Sequence, residues 1–201
     1  MSTLEELAQY NIESDIEAMC IIVKHLLTQK EQAMSSTGEC AYRGRTEDFF
    51  DPDYNELIEE GQFNGLSCAV GCLIKDDYYD RTLENLGIDE TGVQEMVQSS
   101  HPKWLIDDNS IKMLRVLQRI HDTCNPYIWP LLLDRLVSEV YENFFYQKSE
   151  DIQGIIYSIK AAAFDSISNN QIDDLNELIK HKEKMVLKEI NKIETSIQKG
   201  N

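Results

Sequence analysis

The chain is 201 residues long, with 36 acidic against 19 basic side chains, a formal net charge of −17 and a hydrophobic fraction of 42%. That fraction can build a core, so a disordered chain is excluded, and with 9 Gly and 4 Pro so are collagen-like and linker-like compositions. No apolar run approaches the roughly 20 residues that span a bilayer, and the acidic opening MSTLEELAQYNIESD lacks the basic-then-apolar order of a signal peptide.

A cytoplasmic, mainly helical protein of one or two small domains is therefore expected. Residues 3–34 carry Leu4, Leu7, Ile12, Ile16, Met19, Ile22, Val23 and Leu26 at broadly three- and four-residue intervals, which predicts a short helical lead-in and then an amphipathic helix. Ser14 and Glu17 are placed as a capping box at its start, and SSTGE marks its end. From Cys40 to about Pro102 short apolar runs alternate with Gly and Asp. Short helices, loops and a small hairpin are expected there. Beyond Trp104 the helical period returns with Ile111, Leu114, Leu117 and Ile120, capped within 107–109 and stopped by Asn125-Pro126.

A further helix is expected from about Pro130, with Leu132, Leu133, Leu136, Val137, Val140, Tyr141, Phe144 and Phe145 on a wide apolar stripe that makes it the candidate core helix. Residues 150–168 predict another helix, SNNQ a turn, and Ile172, Leu175, Ile179, Val186, Ile190, Ile193 and Ile197 a last helix with a near-heptad seam. The expected fold is a helical bundle in which a core of residues 1–147, with an irregular acidic segment at 35–107, is followed by a C-terminal helical hairpin at 148–201. A narrow seam on a charged helix needs cover, so the hairpin should pack on the core or on a second copy, and a homo-oligomer is expected.

Charge is uneven along the chain. Residues 35–107 hold 16 acidic and 5 basic side chains, and the densest stretch is Glu47, Asp48, Asp51, Asp53, Glu56, Glu59 and Glu60. Such a field repels a phosphate backbone, which argues against duplex-DNA binding; it suits a solvated face or a surface that imitates nucleic acid.

Few residues point to catalysis. The five cysteines, Cys20, Cys40, Cys68, Cys72 and Cys124, are odd in number and expected to be reduced. Cys40, Cys68, Cys72, His121 and Cys124 would allow a zinc site on paper, but their spacing lacks the usual two-residue knuckles, so buried thiols are the simpler reading and no metal is expected. Cys68 or Cys72 with His121 would allow a thiol nucleophile, a pairing that chance supplies in most sequences. Phosphate-loop, HExxH, Gly-x-Ser-x-Gly and kinase signatures do not occur, so no catalytic residue or cofactor is assigned. His121-Asp122 ends the MLRVLQRIHD helix, where it reads as an orienting pair or, more simply, a helix-end cap.

The most suggestive cluster is basic and aromatic. Tyr42, Arg43 and Arg45 precede the acidic stretch, and Lys75, Tyr78, Tyr79 and Arg81 follow the CAVG turn. Arginine offers a planar fork for phosphate and tyrosine a stacking face, so these seven residues are the candidate lining for a small nucleotide-like anion. The alternative is that Arg43 and Arg81 pair with nearby carboxylates while the tyrosines pack.

ECAYRG, GLSCAVGCLIKDDYY and MLRVLQRIHD followed by IWPLLLDRLV resemble an arrangement found in small uncharacterised proteins of bacteriophages and bacteria: a Cys-x-Tyr-Arg element, a CAVG-x-L-I-x-D element with a trailing Tyr, and an LQ-x-x-HD helix with a later Trp. The resemblance spans about residues 38–135. This chain departs from it by some twenty acid-rich residues between Arg45 and Gly65 and by its C-terminal helices. The resemblance implies a phage accessory protein working in the host cytoplasm, a class that often inhibits host defence. Two functions are then expected: sequestration of a small nucleotide-like defence signal, or an acidic protein-binding inhibitor or DNA mimic directed at a host defence protein. A third reading, metal or thiol chemistry around Cys40, Cys68, Cys72 and His121, is the least expected.

Overall fold

Nine of the fifteen residues of the helix Asp15–Gln29 (α1) are buried, because Ala18, Met19, Cys20, Ile21, Ile22, Val23, Leu26 and Leu27 cover almost every face and His25 fills the remaining inward position. A computed structural model describes residues 12–34, 41–45, 49–51, 56–59, 63–140, 157, 161 and 175–200. Within these, α1 is followed by four short strands, Arg43–Arg45 (β1), Phe49–Asp51 (β2), Glu56–Glu59 (β3) and Phe63–Ser67 (β4). Three 3-10 turns over 71–83 lead to the helices Thr91–Ser100 (α2), Asp108–Thr123 (α3), Trp129–Val140 (α4) and Leu175–Gly200 (α5). The fold is mainly α, as composition and period imply. No helix among the described residues is long and apolar enough to cross a membrane.

The helix starts follow their capping residues. Ser14 accepts from the Glu17 N–H and donates to its carboxylate, while that carboxylate takes its backbone bond from Glu13, one residue earlier than a capping box requires. Asp107 caps α3 through the Asn109 and Ser110 N–H groups, and Ser110 returns the bond to the Asp107 N–H. Asn125 caps the turn Pro126–Ile128, so α4 begins at Trp129, one residue before the proline expected to open it.

The end of α1 differs from the sequence reading. The helix stops at Gln29, with Lys30 left-handed at φ 56°, instead of running on to SSTGE. The reason is tertiary. The Gln32 side chain donates to the His121 carbonyl and the Ala33 N–H donates to His121 Nε2 at 3.1 Å, so this backbone serves α3 and cannot continue a helix.

The core lies where α1, α3 and α4 meet the turn after β4; Trp104, Trp129, Met19, Ile22, Leu26, Leu73, Leu114 and Leu132 are among its fully buried side chains. Trp104 Nε1 and Ser110 Oγ both donate to Asp15 Oδ1, at 2.8 and 2.6 Å, and pin the start of α1 to α3. The seam of α5 is buried at Leu178, Ile179, Val186, Ile190 and Ile193. Around it Lys24 pairs with Glu194, Lys30 with Glu183 and Lys182 with Asp134, so α1 and α4 of the same chain lie against α5. The lead-in before Ile12, the stripe residues Tyr141, Phe144 and Phe145, most of the 150–168 helix, the SNNQ turn and Ile172 lie outside the described residues.

The strands form two antiparallel pairs, β1 with β4 and β2 with β3. Arg45 faces Phe63, and Phe49, four residues on, faces Glu59, four residues back. The first pair carries a register shift between Arg43 and Arg45 and the second between Phe49 and Phe50; of the acid-rich stretch, Asp51, Glu56 and Glu59 fall on β2 and β3, the acidic ribbon, while Glu47, Asp48, Asp53 and Glu60 lie outside the described residues.

Candidate functional site

The ribbon joins the body at the turn Ser67–Ile74, which contains CAVG, and side chains from three helical regions close on that turn. His25 Nε2 donates to the Ser67 carbonyl at 2.8 Å, and Gln29 grips both the N–H and the C=O of Ser67 at 2.9 and 3.0 Å. From α3, Gln118 accepts from the Val70 N–H at 3.0 Å and donates to Asp122 at 2.6 Å. Just after α2, His101 Nε2 donates to the Leu73 carbonyl at 2.7 Å. Burial holds the His25 imidazole down at about 4 and lowers that of His101, so both remain neutral donors near neutral pH.

Gly71 sets the closest approach. A Cβ at this position would stand 2.1 Å from the Tyr42 carbonyl oxygen, so no other residue lets the turn lie against Tyr42, the residue that leads into β1. Tyr42 and Arg43 of the first element, the CAVG turn of the second and Gln118 of the third thus meet in one place, and what they share is packing of the turn.

The basic and aromatic cluster gathers only in part. Arg43 is 8% exposed; its Nη2 donates to the Ile74 carbonyl at 2.6 Å and to Asp76 at 2.7 Å, and its guanidinium lies 5.5 Å from the Tyr79 ring centre. The Tyr42 hydroxyl donates to the Leu86 carbonyl at 2.6 Å. Glu84 accepts from the N–H groups of Tyr42 and Arg43 and from the Tyr79 hydroxyl. Tyr42, Arg43 and Tyr79 are therefore brought together around Glu84, with internal partners. Lys75, Tyr78 and Arg81 stand on the adjoining turns: Lys75 half-buried with its N–H on Ser100 Oγ, Tyr78 46% exposed, and Arg81 half-buried at the head of a turn capped by Asp80. Arg45 ends β1 opposite Phe63.

The thiols are enclosed. Cys68 Sγ accepts from the Gly71 N–H and Cys72 Sγ donates to the Ala69 carbonyl, both at 3.2 Å. Burial pushes the Cys20 thiol up to about 12 and the Cys72 thiol well above its ordinary value, opposite to what activates a nucleophile. Cys40 lies outside the described residues.

His121 is fully buried. A backbone N–H can only donate, so Nε2 accepts from Ala33 and the proton sits on Nδ1, 2.8 Å from Asp122 Oδ1; the ring also packs 5.5 Å from Trp129. With both nitrogens engaged, His121 is a structural strut oriented by Asp122, and its side chain does not cap the helix end: α3 closes through the Cys124 N–H on the Ile120 carbonyl. Among the described residues no group of three or more His, Cys, Asp or Glu side chains is placed to hold a metal ion.

At the base of the ribbon Arg43 faces Ser67, and the N–H groups of both turn outward, Arg43 to Glu84 and Ser67 to Gln29. Side chains of the body thus occupy both outer edges there. Sequence reading missed His25, Gln29, Glu84 and Gln118, the residues that make these ties. The available signal was a polar residue standing where a helix turns its apolar face inward, as His25 and Gln118 do. Compared with protein-family models, with curated proteins and with solved structures, the chain finds no match, so its site is read from its own geometry.

Proposed function

We propose that the protein is a non-enzymatic binding protein whose acidic ribbon occupies a basic surface of another protein. The observation that carries this reading is the ribbon itself. Seven carboxylates fall within residues 47–60 of the sequence; three of them, Asp51, Glu56 and Glu59, stand on the antiparallel strands β2 and β3, and in the neighbouring pair of β1 and β4 Arg43 and Ser67 are tied to the body on both edges. Held on a scaffold, such charge steers encounter with a cationic surface and repels nucleic acid. Following the resemblance to small phage and bacterial proteins, the partner is a host defence protein with a surface made for a phosphate backbone. Changing Glu47, Asp48, Asp51, Asp53, Glu56, Glu59 and Glu60 to their amides tests it. A basic partner captured by the parent chain at low salt should be lost by the amide chain; the same partner held equally by both would reject the reading.

A second reading, the small nucleotide-like ligand, keeps one specific support. The Asp76 side chain that pairs with Arg43 is 89% exposed, beside exposed Tyr78, so an incoming phosphate has a solvent route to exchange with that carboxylate. Native mass spectrometry against linear and cyclic nucleotides tests it. A mass gain that disappears in Arg43→Gln is expected, and a chain that stays ligand-free across the panel removes the reading.

A further inference from the structure

Away from the ribbon, the end of α1, the turn Pro126–Ile128, the start of α4 and the first turns of α5 line a cleft of about 500 Å³, a size that suits a small organic molecule. Its floor is apolar, because Leu27, Trp129 and Ile179 line it and are buried. On the side of the turn stand Pro126 and the ring of Tyr127, which is 45% exposed; the Tyr127 hydroxyl donates to Asn176 Oδ1 at 2.6 Å and holds that ring against α5. The charged groups at the mouth are mostly cationic. Lys30, left-handed at φ 56° where α1 ends, donates to Glu183 at 2.8 Å, and Lys180 donates to Glu177 at 3.1 Å. Among the described residues that line the cleft, these two lysines stand against one carboxylate, Glu183. Both lysines are exposed, and exposed pairs are weak and exchange readily. An ammonium carries three donors, so a lysine can hold its glutamate and also donate to an incoming carboxylate. The ligand class follows from these walls. An apolar floor beside a tyrosine ring favours a flat aromatic body, and the excess of one cation favours a single negative charge. A polyanion is repelled by the net charge of −17, whereas one carboxylate beside two ammonium groups is held at close range.

We infer that this cleft is a binding site, independent of the acidic ribbon, for a small aromatic carboxylate: the ring lies on the apolar floor beside Tyr127, and the carboxylate meets Lys30 and Lys180.

The test titrates the full chain, at neutral pH and low salt, with three naphthalenes of one shape and different charge: 2-naphthoate, 2-naphthylmethanol and 2-naphthylmethylammonium. The chain has two tryptophans, so two indole N–H signals report the place of binding in a nitrogen–proton NMR spectrum. Naphthoate should shift the Trp129 signal and leave that of Trp104, and it should bind about tenfold or more tighter than the alcohol or the ammonium. Lys30→Asn removes one cation and keeps a residue that tolerates the left-handed backbone, and Lys180→Gln removes the other from an exposed position. Each should weaken naphthoate by roughly three- to tenfold and leave the alcohol unchanged. Tyr127→Ala should weaken all three compounds. No binding of naphthoate, equal affinity for the three compounds, a shift at Trp104 instead of Trp129, or naphthoate affinity unchanged in both lysine variants would overturn the site.

Discussion

The turn Ser67–Ile74 and the ribbon that leaves it are adjacent in sequence and opposite in construction. Around the turn, neutral polar side chains from α1, α3 and the end of α2 meet single backbone groups, and the surroundings are apolar. The ribbon instead belongs to a stretch of sequence dense in like charges, with Asp51, Glu56 and Glu59 on strands of three or four residues, too short to be stable alone. Buried neutral ties fix a structure because an orphaned partner is expensive. Crowded carboxylates destabilise the segment that holds them, so their presence calls for a reason outside folding. A region built for position thus stands beside one that, on the proposed function, is built for contact.

The largest expected effect lies at the turn. Gly71→Ala places a methyl against the Tyr42 carbonyl and should destabilise the fold by roughly 2–4 kcal/mol, measured by urea unfolding. A loss within about 0.5 kcal/mol would break the claim that this approach organises the site. Acid should act on the same region with comparable force. The His25 value in the fold, about 4, lies below its ordinary 6.5, so between those values the unfolded chain takes up a proton that the folded chain refuses. Stability is complete above about pH 6.5 and falls by about 3 kcal/mol as pH drops toward 4, with His101 adding in the same direction. His25→Gln should flatten that slope in urea unfolding at a series of pH values; a slope unchanged by the substitution would place the acid response elsewhere.

A smaller loss is expected at α3. Gln118→Leu leaves the Val70 N–H without its acceptor and Asp122 without one donor, a cost of about 1–3 kcal/mol. Amide exchange at Val70 should accelerate in that variant before global unfolding does, which distinguishes loss of a local tie from general loosening.

Much of the body was legible in the sequence. Leu114, Leu117 and Ile120 gave α3 its period, Ser14 and Asp107 marked helix starts, and the C-terminal seam was readable from Ile179 to Ile193, because a helix buries one face at a fixed spacing. The ribbon was harder to read. Arg43 pairs with Ser67 across more than twenty intervening residues, and strands this short show no alternation that a sequence window can detect. The end of α1 was also hidden, since Lys30 is no usual left-handed residue and its stop depends on Gln32 and Ala33 reaching His121. For the site, proximity of cations and tyrosines in the chain was visible. That Asp76, Ile74 and Glu84 meet Arg43, Tyr42 and Tyr79 from inside is a property of the fold alone.

The smallest expected effect on stability belongs to the ribbon, and it tests the division most directly. The seven-amide chain, with Glu47, Asp48, Asp51, Asp53, Glu56, Glu59 and Glu60 neutralised, should unfold thermally in low salt at the same midpoint as the parent or slightly above it, because repulsion between like charges is relieved. A midpoint lower by more than about 4 °C, on the order of 1 to 2 kcal/mol in a chain of this size, would make those carboxylates part of the folding scaffold and contradict the assignment of the ribbon to contact.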